Sequence, residues 1–492
     1  MPKLFVNDLT GGYNRQYPPH LIQETDLYVN DDTTYRAGKW QKRQGFTLDS
    51  AAGSNPVTEL TDYIRNDGSS FRIAATTSNL YYYNAGWVSR LTLGSSIPTS
   101  SKWFFAEKNN SLYACNPSVN DIYVLTNPTS GNFTAVTWNV AVDADGVVGR
   151  DLISARCVLP SSERLIFGGV NDSIDGLVGN TILYTKASTY DRIDLDNDIQ
   201  IDESQTRIET MSYVGRGLIA VYKQDMIALL QQTGVPVLSK RLAEPVGILN
   251  SKARTPMPDG DFFVSQSGFY LFSGGGVIEF PNENMTNFFF ENVNPLFTNF
   301  VYCFTDWRFR EINILYPSLS SADGRCDKRL VYNWQYNNWT LSNTQAYCGF
   351  TRYRENQQQI IYYGDAGGVV KIQNSGWGVN AGTDNGTAIT PKIRTKSFYN
   401  QASREIPEPE DYISLIRITT DADGAAVGKT AIHDTGGQTP VEATHPLSVK
   451  AGRATRFTDT NYPRAARYFQ VGADGFNSVS EFMIKWESSG DE

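Results

Sequence analysis

A strand–turn–strand unit recurs along the first three-quarters of the chain, and few folds can accommodate it. The unit occurs at residues 71–83 (FRIAATTSNLYYY), 101–115 with 121–125, 164–184, 217–230, 261–280, 312–334 and 359–372. Each joins short apolar or alternating runs through Gly, Asn, Asp or Ser, the signature of a tight hairpin. The units return roughly every 40–50 residues, the period of a four-stranded propeller blade. One blade alone cannot bury both of its faces, whereas blades stacked around an axis can. A pair of β-sandwiches also has short strands and frequent turns, but the even spacing favours a ring. Counting units gives six or seven blades.

The character changes near residue 385. Residues 374–386 (NSGWGVNAGTDNG) read as a linker. Strand candidates follow at 389–398, 412–420, 447–450, 467–471 and 482–486, with REIPEPEDY as an exposed loop between the first two. This suits a compact sandwich of ~100 residues. The expected fold is all-β: a β-propeller over residues 1–385, then a small C-terminal β-sandwich over 386–492. With 492 residues, 40% of them hydrophobic and 12% aromatic, the chain has ample material for more than one core.

The formal charge of −9 excludes a broad basic surface for wrapping nucleic acid. Five dispersed cysteines without a CxxC pair argue against a disulfide framework or zinc site, and for a reducing compartment. The first residues lack the basic-then-apolar pattern of a signal peptide, and no stretch is long and apolar enough to span a bilayer. No membrane insertion is expected.

No catalytic constellation stands out. His20, His433 and His445 lack a second His at metal-ligand spacing. Residues 191–203 (DRIDLDNDIQIDE) begin like a calcium loop, but Ile199 stands where the sharp turn needs Gly, and Gln205 replaces the bidentate Glu. Their alternation of carboxylates with Ile and Leu predicts a strand with one solvated face. A sialidase-type repeat is not seen, and the Gly-rich pieces at 274–276 and 367–368 lack the lysine of a phosphate loop. A paired-carboxylate glycosidase would draw its acids from distant segments. A carbohydrate-binding or glycoside-hydrolysing propeller is therefore the alternative, with the tryptophans as its stacking surfaces. No cofactor or metal is expected.

Three stretches resemble a known family. Residues 6–46 contain Gly11-Gly12-Tyr13-Asn14, Pro18-Pro19, Asn30, Gly38 and Arg43-Gln44-Gly45-Phe46, an "R-x-G-F" hairpin. Residues 222–280 run through Gln232-Thr233-Gly234, Pro245-Val246-Gly247-Ile248 and Asp261-Phe262-Phe263-Val264. Residues 331–340 (VYNWQYNNWT) carry "Y-x-x-x-x-N-x-W". Together and in this order they resemble the tail nozzle, or tail hub (packaged-DNA stabilisation), proteins of short-tailed bacteriophages.

The resemblance implies a non-enzymatic virion protein assembled in the host cytoplasm. It implies a homo-hexamer docked on the tail adaptor (the head-to-tail connector) beneath the portal, touching tail fibre, spike or needle proteins. Packaged double-stranded DNA would pass through the ring without specific binding, and six subunits of charge −9 would repel it. Asp191, Asp194, Asp196, Asp198, Asp202 and Glu203 are the candidate channel strand. Residues 172–180 and 282–299 are candidate gate loops, the second offering Phe288, Phe289, Phe290 and Phe297 as a gate or interface.

Overall fold

The computed structural model describes residues 3–6, 9–15, 21–23, 25–143, 145–202, 204–215, 217–232, 238–280, 283–353, 359–374, 381–399, 411–420, 427–433, 441–446, 448–450, 454–457 and 468–488. Glu203, His20, Trp377 and most of the REIPEPEDY loop lie outside the described residues.

Among the described residues, seven four-stranded antiparallel blades follow one another, which resolves the count in favour of seven. Blade I comprises Val57–Ile64, Ser70–Thr76, Asn79–Tyr83 and Trp87–Thr92. Blade II comprises Phe104–Lys108, Ser111–Cys115, Tyr123–Leu125 and Thr134–Ala135. Blade III comprises Leu152–Pro160, Leu165–Asp172, Gly176–Tyr184 and Asp198–Gln200. Blade IV comprises Ile208–Gly215, Leu218–Lys223, Ile227–Gln232 and Leu238–Glu244. Blade V comprises Arg254–Met257, Gly260–Val264, Phe269–Phe272 and Val277–Glu279. Blade VI comprises Tyr302–Asp306, Glu311–Tyr316, Cys326–Asn333 and Asn338–Ala346. Blade VII takes three strands from late in the chain, Cys348–Tyr353, Gln359–Gly364 and Val369–Gln373, and its outermost one, Phe46–Ala51, from the start.

The turns follow local chemistry. Asn109 and Asn110 both adopt positive φ (51° and 56°), which makes the two-residue turn of blade II match the twist of its strands. Apolar clusters fill the gaps between neighbouring blades. Trp103, fully buried, packs with Phe105 and Tyr123 between blades I and II. Tyr222 of blade IV meets Phe263 and Phe272 of blade V. Each such Phe contributes about 1.5–3 kcal/mol by leaving water. First strands of successive blades touch around the axis, blade IV meeting blade V through the latter's second strand, and blade VII touches blade I.

Closure is non-covalent. Phe46–Ala51 pairs with Val369–Gln373, Phe46 opposite Gln373 and Ala51 opposite Val369. Just before that strand, the buried Arg43 donates from Nε to Asp32 (2.6 Å) and from Nη1 and Nη2 to Asp384 (2.9 and 2.5 Å). Burial alone would weaken the Arg43 charge, but Asp32 and Asp384 hold its guanidinium well above the ordinary value. Gly45 passes so close to the chain leaving blade VII that a Cβ there would collide with the Thr383 carbonyl oxygen.

The second β unit corrects the expected boundary. Residues 1–45 were assigned to the propeller, yet Lys3–Val6 pairs with Ser478–Ser488 and Lys39–Lys42 pairs with the same C-terminal strand. That sheet continues through Asp411–Thr420, Ala454–Phe457 and Ser448–Lys450. The other sheet of the unit is continuous with blade VI. Asp26–Asp31 lies beside Asn338–Ala346, with Asp31 opposite Leu341, and is followed by Lys392–Thr395, Tyr468–Asp474, Val427–His433 and Val441–Pro446. Buried Trp40 stands directly opposite buried Val479 across the paired N- and C-terminal strands. The physical reason is that an early strand placed last in blade VII leaves both chain ends side by side, where they pair.

Two outcomes test this closure. Arg43→Ala strands two carboxylates in a buried setting and is expected to cost about 3–5 kcal/mol in denaturant unfolding; a cost under about 1 kcal/mol would contradict the clasp. Where blade I meets blade VII, Asp62 faces Arg352 at 3.1 Å. Burial raises the Asp62 carboxyl from 3.8 to about 7, against the pull of Arg352 and Arg72. The folded chain thus holds this proton more tightly than the unfolded one. The resulting stability is full below pH 3.8 and is lost as pH rises through about 7. Wild-type melting temperature should therefore fall more steeply between about pH 5 and about pH 8 than that of Asp62→Asn; parallel pH profiles would remove Asp62 as the cause.

Candidate functional site

In a four-stranded antiparallel blade, the link to the next blade and the turn between the middle strands lie at the same end. On that face the links into blades II, IV, V and VI, together with residues of blades II to V, line a cavity of about 660 Å³. Its wall includes Ser100 and Lys102 between blades I and II, Ser118 of blade II, Arg156 of blade III, and Arg207 and Glu209 at the start of blade IV. Asn250 between blades IV and V, and Phe290 and Asn299 between blades V and VI, complete it.

Glu209, almost fully buried, is shared. Oε1 accepts from Arg207 Nε (2.7 Å) and Gln224 Nε2 (3.0 Å), while Oε2 lies 3.4 Å from Arg156 Nη1. The Arg156 guanidinium is held below its ordinary value by burial, with Glu209 opposing and Arg207 adding to the fall. Lys102 is buried and donates to the Tyr347 carbonyl at 3.2 Å. Burial lowers its ammonium, while Glu59 is among the groups that pull the other way.

The axis itself is crossed by side chains. Glu59 on the innermost strand of blade I pairs with Lys252 Nζ at 2.9 Å, and Lys252 comes from the opposite side of the ring. Tyr302 of blade VI donates its hydroxyl to Glu59, and Lys252 Nζ sits 3.9 Å from the centre of the Phe104 ring. The Glu59–Lys252 pair therefore obstructs this axis to duplex DNA.

The acidic segment lies at the outer edge of blade III. It forms two short strands, Ile193–Asp194 and Asp198–Gln200, instead of the one expected, because Asn197 N–H donates to the Asp194 carbonyl (2.9 Å) and turns the chain. Its carboxylates are not a bare row. Asp194 accepts from Arg192 Nε at 2.6 Å, Asp198 lies 3.4 Å from Arg150 Nη2, and Asp202 accepts from Asn180 Nδ2 at 3.3 Å. Asp191 and Asp196 are exposed. The candidate gate at 172–180 is the hairpin turn of the same blade, where Ile174 and Leu177 are exposed.

The second candidate gate is a helix, Glu283–Asn292, followed by a short 3-10 segment, Pro295–Phe300, rather than a loop. Phe289 is fully buried and meets Phe269, Phe290 and Tyr316 with ring centres 5.2–5.3 Å apart. Phe288 meets Tyr13 edge-on at 5.1 Å, Phe297 packs on Phe300, and Phe290 is half-buried at the cavity wall. Thus Phe288 ties the helix to the N-terminal segment, Phe289 packs between blades V and VI, Phe297 packs among blades VI, VII and I, and of the four only Phe290 lines the cavity. Arg156 and the Arg207–Glu209 pair carry no sequence signal because they belong to different blades and share no motif. Trp103 and Trp339 are buried, so they offer no stacking surface to a sugar.

No protein-family model matches the sequence, and no curated protein matches it. Among solved structures, similarity is found to a chain in a crystal structure of BBS1N in complex with ARL6DN (11% identity, TM-score 0.39, covering 67% of this chain and 97% of that one). It is found also to a streptogramin B lyase (12%, 0.41, 67% and 96%). Virginiamycin B lyase from Staphylococcus aureus gives 11%, 0.41, 67% and 99%. The assignment as a seven-bladed β-propeller rests on the blades themselves.

The packing of Phe289 yields a direct test. Phe289→Ala is expected to cost about 3–5 kcal/mol of stability, as for other buried Phe truncations. A loss under about 1 kcal/mol would show that this side chain is not part of the core.

Proposed function

We propose that this chain is a subunit of the tail nozzle ring of a short-tailed bacteriophage. Six copies would dock on the adaptor below the portal, retain the packaged genome and conduct it at ejection, without enzymatic activity. One observation carries the reading: the three stretches that resemble the nozzle family pack against one another. Gly12 runs against Asn338 and Trp339, where a Cβ would meet the Trp339 amide nitrogen at 2.9 Å. Asn30 Nδ2 donates to the Trp339 carbonyl at 3.2 Å. In the "Y-x-x-x-x-N-x-W" turn, Asn337 has φ of 52° and accepts at Oδ1 from the Tyr332 hydroxyl (2.8 Å). Phe269 and Phe280, from the middle stretch, pack on the Trp339 ring at 5.5 and 6.3 Å. Residues from all three stretches therefore meet at one joint, which supports the reading.

A ring of this kind uses heterologous contacts that close on themselves. Its DNA passage would run between subunits, since the propeller axis is crossed by the Glu59–Lys252 pair. The carbohydrate reading draws on the polar axial cavity, and turnover of a glycoside by the purified chain would favour it. The ring is tested by light-scattering mass and negative-stain images of the chain alone and mixed with its adaptor. Six-fold rings on the adaptor are the expected result; a monomer under both conditions, together with absence of the chain from purified virions by mass spectrometry, would overturn it.

A further inference from the structure

We propose that the axial cavity binds a small acidic sugar, one that carries a carboxylate or phosphate beside its hydroxyl groups. The inference goes beyond the nozzle reading and holds whether the chain stands in a ring or alone.

Charge is the first argument. The chain carries −9 overall, yet the cavity wall holds two guanidinium groups, Arg156 and Arg207, against one carboxylate, Glu209, while Lys102, also in the wall, is buried and engaged by the Tyr347 carbonyl. Burial of positive charge in excess of its partners is costly, so a local surplus in an acidic protein marks a place suited to an incoming anion. Geometry is the second. Glu209 engages Arg207 through Nε only, and Arg156 through Nη1. That leaves the paired terminal N–H groups of Arg207, half-exposed at the cavity wall, in the fork that grips carboxylate or phosphate through two parallel hydrogen bonds.

The remaining wall sets the kind of anion. Short hydroxyl and amide side chains, Asn299 among them, dominate the lining, and Phe290 supplies an apolar surface. Such a mixture suits a polyhydroxylated ring with one charged arm better than a lipid or an aromatic ligand. At about 660 Å³ the space accepts a molecule of one or two sugar rings but no duplex.

The test is calorimetric titration of the full chain with four probes: glucuronate, glucose 6-phosphate, glucose and inorganic phosphate. Saturable binding of glucuronate or glucose 6-phosphate is expected, at least about tenfold tighter than either glucose or inorganic phosphate. Whichever anionic sugar binds tells carboxylate from phosphate. Arg207→Gln, at a half-exposed position and checked for an unchanged melting temperature, should weaken binding about tenfold. Glu209→Gln removes the competing carboxylate and should tighten it, a direction that mere damage to the fold would not produce. Absence of saturable binding by both anionic sugars up to about 10 mM would overturn the proposal. So would equal affinity for glucose or inorganic phosphate, or an Arg207→Gln variant that binds as wild type.

Discussion

Arg43 holds the ring shut. A propeller is a strip of blades that gains its full burial only when the last blade meets the first, and here no covalent bond enforces that meeting. The outermost strand of blade VII comes from the N-terminal side of the chain, and Arg43 fastens it to Asp32 before the ring and Asp384 after it. A buried guanidinium between two carboxylates is favourable only in this geometry, because each partner left alone carries a desolvation penalty of several kcal/mol. The clasp therefore acts as a register device as well as a bond: a slipped strand would bury an unpaired charge.

The rest of the architecture follows from that closure. With both ends of the strip at blade VII, the residues outside it emerge as neighbours and form the second β unit together. One of its sheets extends blade VI, so the unit is fused to the propeller side and not tethered by a free linker. On the face where blades are joined to one another, the links gather around the axis. There the Glu59–Lys252 pair crosses from one side of the ring to the other, and the Lys102–Tyr347 hydrogen bond ties the links on either side of blades VII and I. These contacts leave the polar, cation-lined cavity beside them.

The propeller was legible because it is written in local chemistry. Each of the units read from alternation and turn residues is two or three adjacent strands within one blade, from Phe71 in blade I to Ile372 in blade VII. The second unit was only half legible. Asp411–Thr420 and Ser478–Ser488 stand near their expected places, but Lys3–Val6 and Lys39–Lys42 find partners more than 400 residues away, a pairing that no local pattern encodes. The Phe288–Phe290 run was read as a loop because three consecutive aromatics show neither strand nor helix period; its helix is dictated by the tertiary packing of Phe289. The cavity residues were invisible for a related reason. Lys102, Arg156 and Glu209 come from different blades, and only closure of the ring brings them to one wall.

Native-state amide hydrogen exchange tests the closure most directly, since it reads the opening of each strand separately. If the first-blade-to-last joint is the keystone, amides of Phe46–Ala51 that bond to Val369–Gln373 will exchange only through global unfolding, with the same free energy as the inner strands of blade VII. Exchange of Phe46–Ala51 at much lower free energy, while Cys348–Tyr353 stays protected, would show an edge that frays without opening the ring and would contradict it.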